Sequence, residues 1–200
     1  MISLHLHPDQ VIKLARELRR SRRREIGGVL VGEHIGIEDF RLVDFSVQRS
    51  GGMQACFVRD PDEHRQFMDS FFSRTRDDFE RFNYLGEWHS HPSFTAYPST
   101  VDLSQMQSIV DDGPEAPLFA VLLVVRLSLP RELELGCWAF RSAHPPASVQ
   151  ILVTPRSEDD PKSPEVQRWW RRFFGKHPEI HVRVLRTHSL GDCYELEGKV

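Results

Sequence analysis

The stretch Gly86–Asp102, GEWHSHPSFTAYPSTVD, sets two histidines two residues apart, a proline directly behind them, and a Ser-x-x-Asp further on. The segment YLGEWHSH reads as a strand that runs out at Pro92, which has no N–H to extend a ladder. Successive strand residues point to opposite faces, so His89 and His91 project the same way, roughly 7 Å apart at their Cα atoms. The following STVDLSQMQSIVDDG reads as a helix entered at Ser99 or Thr100 and stopped at Gly113. Asp102 then falls early in that helix and can offer a carboxylate from a second direction. Two imidazoles and one carboxylate with a position left for water make an open zinc site, which a hydrolase needs and a structural site lacks. Zinc in such a site brings the pKa of its water near neutrality and polarises a carbonyl. A His-x-His on a strand is by itself compatible with a surface pair, and Ser99 with an ordinary helix cap. His-x-His-Pro and Ser-x-x-Asp together at fixed spacing are far more restrictive than either.

Working outward, ISLHLH alternates and suits a short strand, and PDQVIKLARELRRS spaces Val11, Leu14, Ala15 and Leu18 at helical intervals behind Pro8 and Asp9. EIGGVLVGEH reads as a buried strand with a close backbone approach at Gly27 and Gly28. FRLVDFSVQ and ACFV read as further strands, and the segment from Asp60 to Phe79 as a helix with Phe67, Phe71 and Phe72 on one face. LFAVLLVV, ELELGCWAF and SVQILVT add three strands. This mixed order, neither alternating βα nor all-β, points to an α/β (mixed α+β) sheet flanked by helices. A composition break at Pro155–Glu165, PRSEDDPKSPE, reads as a linker. Residues 1–154 are therefore expected to form the main domain. Residues 155–200, with a short helix and then a strand, are expected to be a linker and C-terminal extension packed on it.

The composition is ordinary for a globular chain: 200 residues, 40% hydrophobic, 28% charged. A net charge of −3 carries no signal for nucleic acid. No run reaches the ~18 apolar residues of a membrane span; the longest, PLFAVLLVVRLSL, is interrupted by Arg126. The N-terminus lacks the features of a secretory signal. Cys56, Cys137 and Cys193 are odd in number and widely spaced, against both a disulfide framework and a cysteine zinc knot. A cytoplasmic, reducing setting is expected.

HSHPSFTAYPSTVD resembles the signature of the JAMM (JAB1/MPN/Mov34) metalloproteases. Upstream, EIGGVLVG at Glu25–Gly32 resembles the Glu-x-Gly-Gly strand that carries that family's catalytic glutamate, and the two pieces lie in the family's order. The resemblance covers residues 1 to about 154 and implies a JAB1/MPN-type curved sheet. It implies that His89, His91 and Asp102 bind one Zn²⁺ per chain, that Glu25 is the general base, and that Ser99 donates to the oxyanion. GEW before HSHP resembles prokaryotic members, which process or deconjugate ubiquitin-like modifiers, including in antiviral defence operons. The activity implied is a zinc isopeptidase or peptidase cutting after the C-terminal glycine of a ubiquitin-like protein. E1-like and E2-like proteins are possible partners; nucleic acid and membrane are not expected. The SFTAYP loop, Ser93–Pro98, and the segment before YLGEW are where the family holds an extended tail. A peptidase on phage-tail or cell-wall peptides and a metal-free scaffold are the alternatives, and retention of Glu25, His89, His91, Ser99 and Asp102 speaks against the scaffold.

Glu87 shares strand parity with the two histidines and competes with Glu25 for the role of base, or serves as a carboxylate that orients an imidazole. The basic run Arg19–Arg24 reads either as a solvated helix end or as a device that steers an acidic substrate. WWRRFF, Trp169–Phe174, reads as a packed aromatic face backed by a basic one. His5 and His7 read as ordinary strand residues.

Overall fold

A computed structural model describes residues 1–48, 61–129, 132–154, 180–187 and 193–199. The ACFV strand, the linker from Pro155, WWRRFF, and the thiols of Cys56 and Cys193 lie outside the described residues. The chain runs β1 (Ser3–Leu6), α1 (Pro8–Ser21), β2 (Gly27–Gly36), β3 (Asp39–Phe45), α2 (Pro61–Arg74) and β4 (Phe82–Ser90). It continues through α3 (Thr100–Asp111), β5 (Ala120–Leu129), β6 (Glu132–Phe140), β7 (Ala147–Ser148), β8 (Gln150–Val153), β9 (His181–Thr187) and β10 (Cys193–Lys199). This is the mixed α/β architecture expected from the pattern.

One mixed sheet holds the molecule, in the order β10-β9-β6-β5-β4-β2-β3-β1-β8, with β7 beside β6. β4 runs parallel to β5 and antiparallel to β2, so the row Gly27–His89–Val124–Gly136 crosses the middle of the sheet. SVQILVT forms two strands where one was expected. Ala147–Ser148 pairs with β6, while Gln150–Val153 pairs with β1 at the far end of the sheet order. Val149, buried between them, bonds the Cys137 carbonyl as Gln150 bonds that of Ile2. One short segment thus ties β6 to β1, which β5, β4, β2 and β3 separate in the sheet, so the sheet is curved and nearly closed. β9 pairs in parallel with β6, and β10, which the sequence pattern did not mark, pairs with β9.

The two faces bury different cores. Leu14, Ala15 and Leu18 of α1 pack over Leu30, Trp88, Leu123 and Leu135 on one face. On the other, Met106 and Val110 of α3 pack over Leu122, Val124 and Trp138. α1 begins at Pro8, and His7, expected in the strand, is instead its N-cap, with its N–H bonded to Gln10 Oε1 at 3.1 Å. Gly28 provides the close approach expected of its strand: a Cβ there would collide with the backbone of Ser46. Ser46 accepts from Trp88 Nε1 at 2.8 Å and from the Val29 N–H at 2.9 Å, which locks β2, β3 and β4 behind the site.

Candidate metal centre and active site

β4 reaches the site through a bulge. Leu30 pairs with Gly86 but Val31 with Tyr84, so Leu85 is an extra residue. Gly86 absorbs the kink at φ +151°, where a Cβ would strike the Val121 backbone. The bulge resets the alternation, so Glu87 and His89 face α3 while Trp88 faces α1. His91, one residue beyond the strand, still donates its N–H to the Val125 carbonyl at 2.9 Å.

The side chains converge. His89 Nε2 and His91 Nε2 are 3.1 Å apart, and Asp102 Oδ2 lies 3.5 Å from the first and 3.7 Å from the second. Three ligands at the ~2.0–2.1 Å of a tetrahedral zinc centre stand about 3.3 Å from one another. The donor triangle therefore has the size and the N,N,O chemistry of that ion, with a fourth position left over. His91 Nδ1 lies 3.1 Å from the Thr95 carbonyl, which can only accept, so the proton sits on Nδ1 and the Nε2 lone pair faces the site. Ser99 caps α3: its Oγ accepts from the Asp102 N–H at 3.2 Å, and its own N–H donates to Asp102 Oδ2 at 2.7 Å. The same reciprocal pair fixes the Asp102 carboxylate and leaves the Ser99 hydroxyl proton to donate elsewhere.

Glu25 is 6% exposed and enters from the segment two residues ahead of β2, held by the pairing of Gly27 with His89. Burial raises its pKa; the charges of His91 and His89 oppose the rise and Asp102 adds to it, which marks Glu25 as a neighbour of all three donors. For Asp102, burial works upward, but the two imidazoles beside it, His89 and His91, hold its pKa well below the usual range. Burial works to lower the pKa of His91, but the Asp102 carboxylate and the Thr95 carbonyl raise it overall.

Glu87, the competing carboxylate, is half-buried and lines a cavity of about 650 Å³ together with His89, Asp102, Asp112 and Glu115. All five sequence-derived residues, Glu25, His89, His91, Ser99 and Asp102, thus occupy one end of the sheet. Ser90 and Thr95 escaped the sequence reading. A small polar residue between two inward histidines was the available sign of Ser90, whereas Thr95 acts through a backbone carbonyl that any residue supplies. Cys137 is buried, and burial pushes its thiol well above the ordinary range, away from any nucleophilic role.

A family model described as prokaryotic homologs of the JAB domain matches residues 7–171. The CD-NTase/cGAS isopeptidase of Vibrio cholerae serotype O1 is 38% identical over 94 residues, which is 44% of this chain and 56% of that protein. The 26S proteasome non-ATPase regulatory subunit 14 of Dictyostelium discoideum is 27% identical over 107 residues, 53% of this chain and 34% of that one. The chain thus spans roughly a third to just over half the length of these relatives. A solution structure of a Desulfitobacterium hafniense protein superposes with a TM-score of 0.57 at 19% identity, covering 78% of this chain and 95% of the other, a likeness of fold. With most of its length matched and the motif residues gathered at one end of the sheet, the chain belongs to the prokaryotic JAB-domain family.

Proposed function

We propose that the chain is a zinc-dependent isopeptidase or peptidase that cleaves after the C-terminal glycine of a ubiquitin-like protein, in deconjugation or in precursor processing. The carrying observation is the convergence of His89 Nε2, His91 Nε2 and Asp102 Oδ2 within 4.8 Å of one another beside the buried Glu25. The isopeptidase named among the relatives supports the reaction type. Ubiquitin-like conjugates are the proposed partners, with E1-like and E2-like proteins of the same pathway, in the cytoplasm.

His89, His91 and Asp102 would hold one zinc ion per chain. Bound there, zinc supplies Lewis acidity, lowering the pKa of a water toward neutrality and polarising a carbonyl oxygen. The Glu25 carboxylate accepts the proton of the attacking water and returns it to the leaving amine as the C–N bond breaks. A buried carboxylate beside the donor triangle is placed for both halves of that transfer. Ser99 Oγ–H donates to the oxygen on which charge develops. No covalent nucleophile is required.

Metal analysis of the purified protein should find about one zinc per chain, falling sharply in His89→Ala and Asp102→Ala; undiminished zinc in both removes the site. A ubiquitin-like fusion should be cut at its diglycine end and spared when a chelator is present. Glu25→Ala should keep the zinc and lose cleavage, whereas loss confined to Glu87→Ala transfers the role of base.

A further inference from the structure

Arg22, Arg23 and Arg24 are exposed, and among the described residues none of the three has an ion pair or side-chain hydrogen bond. Their neighbours on α1 differ: Arg16 and Arg20 both reach the buried Glu17, at 3.0 and 3.4 Å. Complementing the helix dipole accounts for Arg19 and Arg20, which lie in the last turn of α1. It does not account for the other three. Arg22 is the C-cap and Arg23 and Arg24 lie past it, in the connection that leads from the α1 face round the end of the sheet to Glu25. Arg22 also takes φ +58°, a backbone conformation that glycine adopts far more cheaply. The fold thus places a guanidinium at a strained position and two more beside it, all within about 10 Å of backbone from the general base.

The opposite flank has the other sign. The cavity beneath α3 is lined by Glu87, Asp102, Asp112 and Glu115, and among the described residues that line it His89 is the one basic side chain. An acidic group is repelled there and drawn to the arginine flank. Glu25 is the residue assigned to the leaving amine, and Arg22–Arg24 precede it directly in the chain, exposed where Glu25 is buried. We propose that Arg22–Arg24 form a cationic rim that recognises carboxylates flanking the modified lysine of the target protein. This rests on the isopeptidase reading and adds to it a class of target. Three adjacent exposed cations on a chain of net charge −3 suit a short acidic protein segment better than a polyphosphate backbone.

The test is fluorescence anisotropy on the full chain in the Glu25→Gln background, which prevents turnover. The labelled probes are a peptide with Gly-Gly joined to a lysine flanked by Asp and Glu, the same peptide with Asn and Gln, and a single-stranded oligonucleotide. The acidic peptide should bind more tightly than the neutral one, and R22Q/R23Q/R24Q should weaken it about tenfold, each exposed pair contributing a factor of about two. The loss should shrink with added salt, and the neutral peptide should not change. R74Q/R76Q, at the opposite end of β4, should leave both peptides bound as before. Equal binding of the acidic peptide by the triple variant overturns the proposal, as does an equal loss in R74Q/R76Q. Oligonucleotide binding as tight as that of the acidic peptide and lost with the same arginines also overturns it. Binding is read without cleavage, so failure of the rim and failure of the isopeptidase reading are separate results.

Discussion

Ile26 and Ser90 exchange two hydrogen bonds: the Ser90 N–H donates to the Ile26 carbonyl at 2.8 Å, and the Ile26 N–H donates to Ser90 Oγ at 3.0 Å. Each residue sits next to chemistry, Ile26 behind Glu25 and Ser90 between His89 and His91. The clamp therefore sets Glu25, the proposed general base, against His89 and His91, the proposed metal ligands, from a residue that has neither role.

Ser90→Ala should show this. It leaves the buried Ile26 N–H without its acceptor, a loss of about 1–3 kcal/mol, lowering Tm by roughly 2–4 °C per kcal/mol at this chain length. Zinc content should stay near one per chain, because the imidazoles keep their strand. The kcat should fall by tenfold or more, since a displacement of about 1 Å at a reacting group costs up to ~100-fold. Calorimetry, metal analysis and steady-state rates on one preparation separate the three effects.

Removing the metal should destabilise the fold. The three donor atoms come from β4, the residue just beyond it and α3, so a bound ion would tie α3 to the end of β4. At free zinc about 100-fold above Kd the linkage adds about 2.7 kcal/mol, or roughly 5–10 °C in Tm. Scanning fluorimetry with and without a chelator should show that shift in the native chain and none in Asp102→Ala.

How far the sequence carried can be read from these residues. Strand alternation was enough to set His89 and His91 on one face, and Ser-x-x-Asp marked the helix start that brings Asp102 to them. Periodicity could not show the extra Leu85, because a bulge depends on the partner strand. Gly86 was its one local trace. The Ile26–Ser90 clamp joins residues far apart in the chain, and no local pattern encodes such a pair. The split of SVQILVT at Val149 is likewise a tertiary choice: both halves have strand character, and the curvature of the sheet assigns them different partners.

Glu25→Gln separates catalysis from stability. Burial raises the folded-state pKa of Glu25, so ionising it in the metal-free fold opposes folding. Its favourable contribution is complete below the unfolded-state pKa and is lost as pH rises through the folded value. Glutamine keeps the shape without the charge. Metal-free Glu25→Gln should thus have a higher Tm than the metal-free parent at neutral pH, with the gap closing toward pH 4. Cleavage by the zinc form should be abolished. Glu87→Gln, at a half-buried position, should leave zinc in place and retain cleavage. Melting curves at several pH values, beside one activity assay, check all of these.

Gly136 holds the loop that orients His91. A Cβ there would collide with the Ala96 carbonyl oxygen and lie 2.5 Å from Trp138 Cη2, on the face where Tyr97 stacks edge-on against Trp138 at 5.0 Å. Ala96 is fully buried, so the collision cannot be relieved outward without lifting the segment that carries Thr95, whose carbonyl fixes the His91 tautomer. Gly136→Ala should cost about 1–3 kcal/mol through overpacking and weaken zinc binding about 10–100-fold through the lost orienting bond. Gly113→Ala is the control: its φ of +85° brings backbone strain, but nothing stands within 4 Å of the added methyl and no ligand depends on it. It should lose about 1 kcal/mol and leave zinc affinity unchanged. Competition of both variants against a chromophoric chelator, with Tm measured in parallel, distinguishes a loop that orients a ligand from one that merely packs: equal zinc affinity in the two glycine variants would leave Thr95 without an orienting role.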